Sequence, residues 1–291
     1  MKLPPRADVL TSGRWSRLRA WLGYILFAGI LFWAISKAPQ LLWQTDPLWL
    51  LAAVPFVLLN LLFQVIQTRI FLRDRGVIIP GWRVPVHFTL KKAILNVIMP
   101  FRTGTLLMLQ MLTNQYSVSS IDFVGFMVIA SMYSLFFSVM GVIWLFMPEV
   151  WFAFSLILFL LILSVTRYSS RIPFSGCVWP LFFLALGLFA TFTAALWVLF
   201  LGFGHELAPR QTVTMAVILN TLALVNVTPG NMGIREMVMG AIAPLLSVPI
   251  AIGILAGAAF FAIRIAVVGL LLWGMEVGIY ISRRNIVPPR Q

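Results

Sequence analysis

The sequence predicts an all-α polytopic integral membrane protein, with about six spanning helices plus two re-entrant helical hairpins in an inverted repeat; eight or more spanning helices is the alternative. Three observations carry this. Of 291 residues, 61% are hydrophobic and only 10% charged, with a mean hydropathy of +1.00, which is more apolar surface than a water-soluble domain of that size hides. Six apolar runs match the ~20 residues that carry a helix across ~30 Å of hydrocarbon. Two further apolar stretches are broken by proline and glycine. In a bilayer such breaks persist only where protein or a watery cavity satisfies the freed N–H and C=O groups.

Residues 1–19 form a cytoplasmic lead-in, where Arg14, Trp15, Arg17 and Arg19 give an amphipathic segment suited to lying on the membrane surface. Residues 20–282 form a single transmembrane domain, and 283–291 a cytoplasmic tail. The crossings lie at Ala20–Ala38, Pro47–Ile66, Ile121–Met147, Glu149–Val165, Val178–Gly202 and Pro249–Trp273. The first has the basic flank of a signal sequence, but its apolar stretch is long and lacks a small-residue cleavage site, so it reads as a retained anchor. The 24 phenylalanines and 11 tryptophans read as lipid-facing or interfacial.

The net charge of +13 is topogenic and calls for no nucleic acid. Lys2, Arg6, Arg14, Arg17 and Arg19 precede the first crossing, Arg69, Arg73, Arg75 and Arg83 follow the second, Arg167 and Arg171 the fourth, and Arg283, Arg284 and Arg290 the last. Placing these in the cytoplasm leaves Lys37 and Arg210 outside, so both termini are expected inside. The parity holds if each interrupted segment enters and leaves on one side. Val84–Met99 and Gly104–Tyr116 are 16 and 13 residues, ~24 and ~20 Å of helix, and neither spans comfortably. Gln211–Thr228 and Gly233–Ser247, with 18 and 15 residues, are also short. The first hairpin is expected to dip from the cytoplasm and the second from the outer face. Four short crossings would preserve the same sidedness.

Each hairpin turns at Pro-x-x-x-Gly, Pro100 to Gly104 and Pro229 to Gly233, with an asparagine, Asn96 or Asn226, just before. Inverted repeats with broken helices near the midplane are a design of alternating-access carriers. A helix restarting after a break presents free N–H groups and its positive dipole end, worth up to ~2 kcal/mol to an anion. Arg102 and Arg235 add forked donors suited to phosphate. Asn96, Thr103, Gly104, Asn226, Thr228, Gly230, Asn231 and Gly233 complete the candidate substrate site.

Arg264 lies within an apolar run, where placement costs at least ~2.5 kcal/mol, so a partner is expected. Glu236 is the candidate, because adjacent helical residues do not face each other and Arg235 is poorly placed for it. That pair would form a conformational latch and leave Arg235 for substrate; a salt bridge that only fixes register, or snorkelling of Arg264, are the alternatives. Gly253-x-x-x-Gly257 and Gly274-x-x-x-Gly278 suit close internal packing, with a homodimer seam as the alternative. Lys91 and Lys92 are expected to snorkel to the cytoplasmic interface, and His87 and His205 to be interfacial. Asp122, Glu149, Glu206 and Glu276 fall at helix ends.

Enzymatic chemistry is not expected. There is no Ser/His/Asp set, nucleotide-binding loop or paired carboxylates. One cysteine, Cys177, and two histidines provide neither a disulfide nor a metal cluster, so no cofactor or metal is expected.

The stretch Leu224-Val-Asn-Val-Thr-Pro229-Gly230-Asn-Met-Gly233-Ile-Arg235-Glu236 resembles the Pro-Gly-x-x-Gly-x-Arg-Glu signature of the transmembrane region of lysylphosphatidylglycerol synthases and their stand-alone flippase-like relatives. Ala93 to Gly104 resembles that family's earlier Asn-x-x-x-Pro-x-Arg-x-Gly segment, although Thr105, Leu106 and Leu107 stand where relatives commonly carry an acidic and a basic residue. The similarity spans about residues 15 to 285. It implies movement of a lipid, often an aminoacylated phospholipid, from the inner to the outer leaflet. Nine residues follow Ser282, so a member without the synthetase domain is expected. Two functions follow: a flippase-like carrier of an anionic or phosphate-containing lipid, or a non-transporting subunit that binds a phospholipid or polyprenyl-phosphate carrier for a separate envelope-biosynthesis enzyme. The expected location is a prokaryotic plasma membrane.

Overall fold

In a computed structural model of the chain the described residues are 13–77, 81–99, 103–147, 149, 153–157, 159–160, 164, 178–223 and 228–286. Every element among them is helical: α1 (Gly13–Lys37), α2 (Gln40–Gln44), α3 (Pro47–Asp74), α4 (Arg83–Ile98), α5 (Thr103–Tyr116), α6 (Ser120–Phe146), α7 (Val178–Gly202), α8 (Pro209–Leu222), α9 (Ile234–Ile242) and α10 (Ile250–Ile286), with single 3-10 turns at Pro229–Asn231 and Ala243–Leu246. Local sequence accounts for the starts. The Asp46 carboxylate accepts the Leu48 N–H at 2.8 Å ahead of Pro47 at the first helical position, and Ser119 accepts from Ile121 N–H at 3.2 Å.

Four helices are long and apolar enough to cross a membrane, by length and composition: Pro47–Asp74, Ser120–Leu145, Trp179–Gly202 and Ile250–Gly278. They correspond to the second, third, fifth and sixth expected crossings, and make the chain an all-α membrane protein. The first expected crossing contains a shorter apolar helix, Trp21–Lys37. The fourth, Glu149–Val165, falls largely outside the described residues.

The ends of the bundle are tied by polar contacts. At one end Asp46 N–H donates to the Gly202 carbonyl at 2.9 Å, Arg210 donates to the Leu145 carbonyl, and Gln211 Nε2 donates to the Leu246 carbonyl at 2.9 Å. At the other end Arg75 pairs with Asp122 at 3.1 Å, and Glu276 receives His87 at 2.9 Å and Lys91 at 3.4 Å. The short α4–α5 pair therefore opens at the second end, and the short α8–α9 pair at the first. Arg69, Arg73, Arg75 and Arg83 gather at the end opposite to Lys37 and Arg210.

The packing repeats between the halves. α3 and α7 share a long interface; α4 packs on α3 and α10, as α8 packs on α7 and α6; and α6 meets α7 as α10 meets α3. One apolar core joins α1, α7, α8, α9 and α10, and a second joins α3 through α6 with α7. A third, around Val57, Leu61, Leu199 and Val268, binds α3, α4, α7 and α10 together. α1 lies across α9, α10 and the Pro229–Asn231 turn.

Candidate functional site: a cationic chamber between two broken helices

A broken helix leaves four carbonyls and four N–H groups without intrahelical partners. Side chains take them up here. At the end of α4 the Tyr24 hydroxyl, from α1, donates to the Ile98 carbonyl at 3.1 Å. Asn96 Oδ1 accepts Thr105 N–H at 3.2 Å across the α4–α5 gap, and Asn96 Nδ2 reaches the Thr105 hydroxyl at 3.3 Å. Beyond α8, Asn231 Nδ2 donates to the Leu222 carbonyl at 3.0 Å, Thr228 to the Met232 carbonyl at 2.9 Å, and Gly233 N–H to Glu236 Oε2 at 2.7 Å.

Glycine is required where backbones meet. A Cβ on Gly104 would sit against the Lys92 carbonyl and 2.9 Å from Asn96 N, so only glycine lets α5 pack this closely on α4. Gly233 has φ +82°, and a Cβ there would fall 2.9 Å from Leu26 Cβ and 3.2 Å from Phe27 N on α1. A Cβ on Gly230 would lie 3.3 Å from Val97 Cα. The second break thus touches the last turn of α4, and Val97, Met232 and Phe261 form a small apolar cluster at the junction.

The ion pair differs from expectation. Glu236 pairs with its neighbour Arg235 at 2.7 Å, not with Arg264. Adjacency disfavours this on a regular helix, but α9 begins at Ile234 and both residues occupy its first turn. Glu236 points back to cap Gly233 N–H, which brings its other oxygen beside the Arg235 guanidinium. Arg235 also donates to the Gly257 carbonyl at 3.3 Å and lies 5.1 Å from the Phe261 ring centre. Gly257 and Gly253 permit this approach, because side chains there would collide with Met239 and crowd Glu236. The N-terminus of α9, expected to hold a substrate anion, already holds the Glu236 carboxylate.

The junction opens into two adjoining cavities. The smaller, about 220 Å³, is lined by Asn96, Thr105, Gly230, Asn231 and Arg235; the larger, about 310 Å³, by residues of α3, α6, α7 and α8; and Gln64, Lys92 and Arg264 line both. Among the described residues, lysine or arginine lines the chamber at three positions, 92, 235 and 264, and no carboxylate does. Among the described residues Arg264 makes no salt bridge. The long-range field of the Arg264 guanidinium in a site walled by apolar helices favours an anion.

Of the expected site residues, Asn96, Gly230, Asn231 and Arg235 reach the smaller cavity, whereas Gly104, Gly233 and Thr228 serve backbone packing and capping. Thr103 begins α5 and lines neither cavity. Arg102 and Asn226 lie outside the described residues. Lys92 faces the chamber and does not snorkel outward, while Lys91 turns to Glu276. Sequence reasoning missed the polar face of α3. Asn60, Gln64, Gln67 and Thr68 recur at intervals of three, four, seven and eight, the spacing of one helical face, a signal legible at the end of the second apolar run and just beyond it. Comparison of the chain with protein-family models, curated proteins and solved structures returned no match.

Proposed function

We propose that the chain is a lipid carrier that binds the anionic, phosphate-containing head group of a membrane lipid in this chamber and exposes it alternately to the two faces of a prokaryotic plasma membrane. The observation that carries this reading is Arg264, a guanidinium without a salt-bridge partner among the described residues, in a cavity walled by apolar helices. An ionisable group at such depth is costly unless a ligand or partner compensates it. In this reading the α4–α5 and α8–α9 pairs are re-entrant hairpins dipping from opposite faces. Their opening at opposite ends of the bundle, and the exchange of packing partners between the halves, support an inverted repeat of the kind used for alternating access. Arg264 and Lys92 hold the phosphate, Asn96 and Asn231 frame it, and the Arg235–Glu236 pair braces α9 against α10. Arg102 is assigned to the same head group on its sequence position. The resemblance to the flippase-like family points the same way.

The test is leaflet-resolved transport in proteoliposomes carrying acyl-labelled phosphatidylglycerol, with an impermeant quencher added outside. The native chain is expected to make the inner-leaflet pool accessible. Arg264→Ala is expected to slow this by at least about tenfold, the loss of one charge-assisted hydrogen bond. If labelled lipid binds the native chain but never crosses, the carrier reading fails and the non-transporting subunit takes its place.

A further inference from the structure

The larger cavity has a chemistry of its own. Its α3 wall carries the polar face of Asn60, Gln64 and Gln67, and its α6 wall carries Ser131 and Ser134. Part of this set is internally satisfied: Asn60 Nδ2 donates to Leu188 O at 3.0 Å and to Thr191 at 3.1 Å, and Gln64 Nε2 donates to Asn60 Oδ1 at 2.9 Å. On the other side Asn220 Nδ2 donates to Ser134 O at 3.1 Å and to Ser138 at 2.8 Å, while Ser134 donates back to Asn220 Oδ1 at 3.1 Å.

Gln67 is the exception. Its side chain lines the cavity, is only 8% exposed, and has no hydrogen-bond partner among the described residues. The Ser131 hydroxyl on the facing wall likewise has none among the described residues. The polar atoms of both side chains stay open to the cavity, and a primary amide brings two donors and an acceptor. Away from Lys92 and Arg264 the open groups are therefore uncharged and of both polarities, in a cavity at the lower end of the ~300–1,000 Å³ range of small-molecule sites. Phenylalanine rings at 126, 189 and 192 supply apolar faces between them. Uncharged donors and acceptors interleaved with rings suit a polyol, whose hydroxyls both give and accept hydrogen bonds and whose C–H faces pack on aromatics. They suit an ammonium group less, because among the described residues no carboxylate lines either cavity and Lys92 and Arg264, which line both, repel it.

We infer that the lipid's head group has two parts, a phosphate held at the Arg264 end and an uncharged sugar or other polyol held in the larger cavity by Gln67 and Ser131. This rests on the head-group assignment above and adds the class of the attached group. It departs from an aminoacylated phospholipid.

Equilibrium binding to the detergent-purified chain tests this without requiring transport. The probes are dioleoyl-phosphatidylinositol and dioleoyl-phosphatidylmethanol, which share acyl chains and a single negative charge and differ in the polyol. Phosphatidylinositol is expected to bind about fivefold tighter or more, the scale of one hydrogen bond. Gln67→Met, which keeps volume, and Ser131→Ala, a smaller change, are each expected to remove much of that difference and leave phosphatidylmethanol unaffected. Equal binding of the two probes by the native chain overturns the inference, as does a Gln67→Met variant that weakens both alike. Tighter binding of lysylphosphatidylglycerol than of phosphatidylinositol overturns the choice of a polyol, and equal binding of free inositol 1-phosphate overturns the lipid-linked source. Failure of the phosphate assignment looks different: Arg264→Gln would leave both probes unchanged while Gln67→Met still weakened phosphatidylinositol alone.

Discussion

At the scale of single residues, the strongest constraint is the buried Arg235–Glu236 pair, in which the glutamate is 1% exposed. Both charges are desolvated, so removing one leaves the other uncompensated, at a cost of about 3–5 kcal/mol. Glu236→Gln is expected to lower the thermal unfolding midpoint in detergent markedly, and Arg235→Gln to do the same. The double variant Arg235→Gln with Glu236→Gln should lose less than the sum of the two, because no unpaired charge remains. Additive losses in that cycle would show that the two side chains act separately. Gly233→Ala should cost about 1–3 kcal/mol from its left-handed backbone, besides the collision with Leu26. Native-like stability of that variant would mean that α1 does not pack across the second break.

At the scale of elements, each break is stabilised by a neighbour. Tyr24 of α1 reaches the Ile98 carbonyl at the end of α4, and Asn231 reaches back to Leu222 at the end of α8. Tyr24→Phe removes one hydrogen bond and little volume, with an expected loss of about 0.5–1.5 kcal/mol. Amide hydrogen exchange at the last turn of α4 should quicken while that of α7 stays unchanged; uniform quickening would mean a global effect. The two breaks were legible in the sequence because proline and glycine interrupt helices for local steric reasons. The hydrogen bonds that make the breaks tolerable were not, because Tyr24 stands 74 residues before the carbonyl it serves.

At the scale of the whole molecule, the basic residues divide between the two ends of the bundle, Arg83 at one and Arg210 at the other. In the proposed orientation, Arg210→Cys in a Cys177→Ser background is expected to react with an impermeant maleimide applied to intact cells. Arg83→Cys is expected to react only after permeabilisation. Labelling of both from outside would remove the opposite-sided hairpins on which alternating access depends. Arg264→Ala and the paired probes for Gln67 then separate three questions: whether lipid crosses, whether its phosphate meets Arg264, and whether a polyol fills the larger cavity.

Apolar run length, the positions of Pro229, Gly230 and Gly233, and the placement of arginines were enough to predict an all-helical membrane chain with two interrupted segments, since each depends on local composition or on residues within one or two helical turns. Partner choice depended on the tertiary structure. Helical adjacency argued against Arg235 and Glu236, yet the sharp turn at Gly233 bends the carboxylate back over the helix start and joins them, which leaves Arg264 to the chamber. Lys92 and the α3 face bearing Gln67 became site residues only when α4, α6, α7 and α10 closed around them. A side chain's position along a helix follows from the 3.6-residue period, whereas what that face meets is settled by long-range packing of helices far apart in the chain.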